Sequence, residues 1–178
     1  LWRGDDLWFD RWNQVMSVQP EFVEILTWND WGESHYIGPL DPSQYGLFNS
    51  DNGKAPYNYA DNMPHDGWRQ FLPYVIEMYK NSKASISAEG LVAWYRKAPG
   101  SACSSGGTTG NSANQDQQTY PPNQVAQDKV FFSALLTSYA DVSVTIGSTT
   151  QTGTWRNTPS NGVGIYHGSV PFNGRGAV

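Results

Sequence analysis

Phe22-Val23-Glu24-Ile25-Leu26-Thr27-Trp28-Asn29-Asp30-Trp31-Gly32-Glu33-Ser34-His35-Tyr36 changes character partway along. The first six residues, Glu24 apart, form a short run rich in apolar and β-branched side chains, the pattern of a strand buried in a sheet. The rest carries two carboxylates, an imidazole, an amide and three aromatic rings, a set suited to chemistry more than to packing. A strand running directly into such a segment is what α/β enzymes use, because the loops after the strands build the active site of a (β/α)8 barrel.

The flanks extend that reading. Upstream, Asp5 or Asp6 can cap a helix reaching about residue 16, with Trp8, Trp12 and Val15 as one apolar stripe and Pro20 as its stop. Downstream, residues 37–66 are crowded with Gly, Pro, Asn, Asp and Tyr and predict a long loop. Its embedded Tyr45, Phe48, Tyr57 and Tyr59 predict an ordered one. A second helix follows from Asp66, on the stripe Trp68, Phe71, Leu72, Val75, Ile76 and Tyr79. Pro73 falls inside it and should kink it or begin a new first turn. Helix, strand, loop, helix is the repeat of a parallel-sheet α/β protein.

From residue 84 the pattern becomes all-β. Residues 91–96, 130–136 and 141–146 read as strands and 150–155 and 164–167 as weaker ones, which predicts a small antiparallel sandwich. Residues 99–127 are dominated by Gly, Ser, Thr, Asn and Gln and read as a flexible insertion. The expected organisation is therefore residues 1–86 as the C-terminal portion of a (β/α)8 TIM barrel and 87–178 as an accessory β-sandwich. The chain starts at Leu1 in loop-like sequence and stops at Val178 in strand-like sequence, so it is expected to be an internal piece of a longer protein, its β-domain truncated at the end.

Composition narrows the function. A net charge of −5 with no basic run argues against nucleic acid, and no apolar stretch approaches the ~20 residues of a membrane span. The single cysteine, Cys103, excludes a cysteine metal cluster and an internal disulfide. Eight Trp and ten Tyr in a polar chain exceed what its core needs, and six of those Trp fall within the first 68 residues. Flat rings of this kind stack on the apolar faces of pyranoses, although any single Trp is as readily a core residue.

Glycoside hydrolysis requires two carboxyls flanking the scissile bond, one protonated and one ionised. Asp30 and Glu33 supply two, three residues apart. On a continued strand they would face opposite sides, so a bend is expected at Gly32, whose backbone is least restricted. Trp28, Trp31 and Tyr36 would then lower the local dielectric and favour one protonated carboxyl. The plainer alternatives are that Asp30 caps a turn and that Glu33 pairs with an arginine. His35 and His65 are candidates for sugar hydroxyls or simply hydrogen-bonded structural groups. Their spacing matches no metal motif, so neither metal nor cofactor is expected.

Residues 27–39, beginning Thr27-Trp28-Asn29-Asp30-Trp31-Gly32-Glu33, closely resemble a stretch of glycoside hydrolase family 71, the fungal α-1,3-glucanases or mutanases. Gly4-Asp5-Asp6-Leu7-Trp8-Phe9-Asp10-Arg11-Trp12 and Met63-Pro64-His65-Asp66-Gly67-Trp68-Arg69 match in the same order. The resemblance is strong over residues 1–80 and weaker over 88–178. It implies a catalytic barrel of which only the last strand and its flanking helices are present. It further implies endo-hydrolysis of α-1,3-glucan with inversion, and Asp30 and Glu33 as the carboxylate pair. Glu33, with the longer arm, is favoured as acid and Asp30 as base. Trp28, Asn29, Trp31, His35, Tyr36, His65 and Asp66 are the expected sugar contacts. A secreted or cell-wall protein is implied, inactive as this piece alone. The competing readings are a non-catalytic carbohydrate-binding protein and a purely structural cell-wall protein.

Overall fold

A computed structural model describes residues 4–48, 58–100 and 126–178. Most of the expected insertion, together with Cys103 and Tyr57, lies outside the described residues. The chain forms two compact units. One comprises Trp12–Ala84; the other joins Trp2–Arg11 to Ser85–Val178.

Helix α1 spans Gly4–Val18, with Asp5 and Asp6 in its first turn, where carboxylates suit the helix dipole. Its buried positions are Asp5, Phe9 and Trp12, whereas Trp8 and Val15 are half-buried. The expected stripe is thus rotated by one residue at its start. Asp5 escapes a hydrophobic reading because it is charged, yet it is buried against a cation, and Phe9 has an aromatic partner. The helix ends with Gln19 in the left-handed region (φ 51°), its N–H on the Val15 carbonyl.

Residues 22–27 are not a strand. Phe22 and Leu26 are exposed, and no described strand pairs with this segment. A strand exists through its ladder of hydrogen bonds, so an apolar run without neighbours stays irregular. The protein is mixed α/β, but among the described residues there is no parallel sheet and no barrel. The second expected helix is divided. A 3-10 turn covers Asp66–Arg69, and helix α2 runs over Leu72–Asn81 with Pro73 in its first turn, where a missing N–H costs nothing. Ser82, left-handed, closes it by donating to the Met78 carbonyl. The core of this unit is Trp31, Tyr36, Phe48 and Ala60, with Leu40, Tyr45, Leu47 and Tyr59 packed around them. Phe48 closes a second 3-10 turn, Pro42–Phe48.

In the other unit, β1 (Gly90–Trp94), β2 (Lys129–Leu136), β6 (Gly164–Pro171) and β5 (Thr154–Asn157) form an antiparallel sheet in the order β1-β2-β6-β5. Strands β3 (Ser143–Ile146) and β4 (Thr149–Thr152) make a separate ribbon. Val130, Phe132 and Val170 of the sheet share a core with Val144 and Ile146 of the ribbon. Residues of opposite parity on β2 and β6 meet the first half of α1. There His167, fully buried, stacks on Phe9 at 4.3 Å and on Trp94 at 5.7 Å. Its ring nitrogens contact Ser133 Oγ at 2.8 Å and Asp6 Oδ1 at 2.7 Å. Buried Asp5 pairs with Arg96 and accepts from the Gln127 N–H at 3.0 Å. Arg156 bridges Asp6 and Asp10.

Candidate active site

The polar segment of the first unit folds as a closed loop. The Thr27 N–H donates to the His35 carbonyl, and the N–H groups of Ile37 and Gly38 donate to the carbonyls of Thr27 and Trp28. Inside it, side chains cap the turn in series. Thr27 Oγ1 accepts from the Asp30 N–H at 3.2 Å, and Asp30 Oδ1 accepts from the Glu33 N–H at 3.1 Å. The same Thr27 hydroxyl donates to the His35 carbonyl at 3.2 Å. Residues 31–34 form the turn itself, closed by Ser34 N–H to Trp31 carbonyl at 3.1 Å. The left-handed residue is Ser34 (φ 60°), so the bend expected at Gly32 rests on the residue two places on. At Gly32 itself the fit is close: a Cβ there would stand 3.3 Å from Leu47 Cδ1, which would have to give by a few tenths of an ångström.

This corner brings the two carboxylates together. Asp30, Glu33 and His35 each present one atom within 4.8 Å of the others. His35 Nε2 lies 2.9 Å from Glu33 Oε2 and 4.0 Å from Asp30 Oδ2, so the imidazole sits beside both carboxyls. Asp30 thus caps a turn with one oxygen and offers the other to the cluster, while Glu33 pairs with a histidine and not an arginine. Glu33 is exposed, and Asp30 and His35 are partly so, which leaves the cluster open to a ligand.

The other expected contacts divide by burial. Trp28 and Asn29 are exposed beside the cluster. Trp31 and Tyr36 belong to the core, and Tyr36 has no exposed surface. The Tyr36 hydroxyl donates to the Met63 carbonyl, and burial, helped by nearby Tyr45, pushes it up to about 12. His65 stacks on Tyr36 at 4.0 Å and bonds through Nδ1 to the Tyr36 carbonyl at 3.0 Å. Burial lowers its affinity for a proton, against the opposing effects of that bond and of Asp66. Asp66 is exposed at the start of its 3-10 turn. Ser133, His167 and Asp6 also form a hydrogen-bonded row, but Ser133 and His167 are buried, so a nucleophile there has no access to substrate.

The sequence profile described as glycosyl hydrolase family 71 matches residues 1–178. The chain belongs to this glycosidase family. A glucan endo-1,3-alpha-glucosidase of Schizosaccharomyces pombe is 40% identical over 154 residues, covering 85% of this chain and 32% of that protein. A mutanase of Penicillium rubens is 37% identical over 140 residues, 78% of this chain and 28% of its own. An ascus wall endo-1,3-alpha-glucanase of the same fission yeast is 37% identical over 83 residues, 47% of this chain and 18% of its own. The chain therefore spans about a third or less of the curated relatives it matches. No solved structure matches it. In this member of family 71, two groups central to the geometry escaped the residue-by-residue reading. Thr27 organises the turn, and the spacing Thr-x-x-Asp-x-x-Glu is the signal that could have revealed it. Arg69, in the third motif, lies with its guanidinium carbon 5.3 Å from the Trp28 ring centroid; nothing local in sequence indicates that contact. Among the described residues no helix is long and apolar enough to cross a membrane.

Proposed function

We propose that this chain carries the carboxylate pair of a secreted endo-acting α-1,3-glucanase, with Glu33 as general acid and Asp30 as general base, and that the complete enzyme holds residues 22–27 as the last strand of a (β/α)8 barrel. The observation that carries the reading is the convergence of Asp30, Glu33 and His35 within 4.8 Å on one capped turn of a family 71 chain. Exposed Phe22 and Leu26 on an apolar run without ladder partners suit a strand whose neighbours lie elsewhere in the enzyme. The relatives' printed activities on 1,3-alpha-glucan point to that polymer as substrate.

How each carboxylate is held supports these roles. Asp30 is fixed by its bond to the Glu33 N–H, which suits a base that must keep a water in line. The Glu33 carboxyl is exposed and among the described residues hydrogen-bonds only with His35, so its longer arm is free to follow a glycosidic oxygen. Inversion needs about 6.5–9.5 Å between the carboxyls to leave room for water. The pair is closer than that here, so inversion requires the exposed Glu33 side chain to swing away from Asp30 when a sugar enters.

The test is separate replacement of Asp30 by Asn and Glu33 by Gln in the full-length enzyme, with turnover, glucan binding and the anomeric form of the first product followed together. Turnover should fall by orders of magnitude with binding retained, and the unaltered enzyme should release the β-anomer first. Undiminished turnover would end the catalytic assignment in favour of a carbohydrate-binding role, and an α-anomeric product would end inversion.

A further inference from the structure

Trp28 is 56% exposed, yet its position is tightly determined. The Gly38 N–H donates to its carbonyl at 2.8 Å. A Cβ on Gly38 would lie 2.5 Å from that carbonyl oxygen and 3.0 Å from indole Cε2, so only glycine allows this backbone against the ring. The Arg69 guanidinium stands over the ring at 5.3 Å, within cation–π range. Arg69 Nε is buried and has no hydrogen-bond partner among the described residues. A guanidinium normally takes acceptors for its N–H groups. Among the described residues, the contact its guanidinium makes is with the indole.

We infer that Arg69 is a positioning residue, which together with Gly38 locks the Trp28 indole as a stacking platform for a glucosyl unit of the substrate beside Asp30 and Glu33. Trp28 is two residues from Asp30, so their Cα atoms are at most about 7.6 Å apart, close to the width of one sugar ring and its linkage. Arg69 comes from a different motif, and it would tie the platform to the segment that also supplies His65 and Asp66. The inference rests on the glucanase reading for the identity of the sugar, but the clamp itself does not.

The experiment uses the full-length enzyme with Arg69→Met, which keeps the alkyl stem, and Arg69→Lys, which keeps the charge. Its first readout is the Trp28 indole N–H resonance in the unliganded protein, assigned with Trp28→Phe. The second is KM against kcat on soluble α-1,3-linked glucooligosaccharides. R69M should move the resonance and raise KM roughly two- to five-fold, more than it changes kcat, with R69K recovering part of the loss. An unmoved resonance in R69M overturns the clamp, whatever happens to activity. A moved resonance with unchanged KM overturns the platform role. Neither result bears on the carboxylates, whose assignment fails only if D30N and E33Q retain turnover. A general loss of folding would appear as collapse of the other indole resonances, and Arg69→Gln, which removes the charge but keeps a polar head, then decides between the same outcomes.

Discussion

The imidazole of His65 lies flat on the phenol ring of Tyr36, 4.0 Å away and tilted by 3°, while its Nδ1 bonds to the Tyr36 carbonyl. Two motifs 29 residues apart in sequence are joined by this contact. The turn that carries Asp30 and Glu33 is thereby anchored at its far end by residues that looked, in sequence, like sugar ligands. Removing that anchor should disturb the carboxylates without touching them.

Tyr36→Phe keeps the stacking and deletes the bond to Met63. The unpaired carbonyl should lower stability by about 1–2 kcal/mol, read from chemical denaturation. The same residue gives a pH signature. Its folded value of about 12 exceeds the ordinary 10.0, so the folded state retains a proton that the unfolded chain loses. That contribution is fully present below pH 10 and declines as pH rises toward 12. Loss of stability in that window should be smaller in Y36F; equal loss in both proteins would contradict it.

Thr27→Val removes the hydroxyl that caps Asp30 and holds the His35 carbonyl. The cost should be roughly 1 kcal/mol in stability, with a larger proportional loss of turnover because the carboxylates lose their register. Thr27→Ser should restore most of both. Thermal melts and rate measurements on the two variants check this.

Arg96→Met leaves the Asp5 carboxylate buried without its cation. Losing one partner of a fully buried pair costs about 3–5 kcal/mol, and since Arg96 is partly exposed, about 2–3 kcal/mol is expected. Equilibrium unfolding of the unit joining residues 2–11 to 85–178 reports it. No change would mean that α1 is not integral to that unit.

His167 titrates below the ordinary histidine value, chiefly through burial, with Asp6 opposing. The unfolded chain therefore takes up a proton first as pH falls. This contribution is complete above the unfolded value near 6.5 and is lost as pH drops through that region toward the lower folded value. His167→Gln should flatten the decline in melting temperature between pH 7.5 and 5. His65, lowered in the same sense, leaves a smaller residual slope. An unchanged slope would show that His167 does not set the acid sensitivity.

Much of this was legible along the chain. Strands β1 and β2 announce themselves through apolar runs, β6 shows only weakly over its first half, and Pro73 marks where α2 begins. The face of α1 was misread by one residue because buried Asp5 looks like solvent-facing charge until Arg96, 91 residues away, is placed beside it. Trp31 and Tyr36 could not be told from the exposed Trp28, since burial is decided by Phe48 and Ala60 and not by neighbours in sequence.

By itself, the sequence determined the family, the chemical groups available and the short-range turn chemistry, because hydrogen bonds over three residues, such as Thr27 to Asp30 and Asp30 to Glu33, depend only on local order. Only the tertiary structure decided that His65 braces Tyr36, that Arg69 covers Trp28 and that α1 lends its first turns to the β-sheet. Those are relations of position and desolvation between segments distant along the chain, and no residue carries them until the backbone has closed around it.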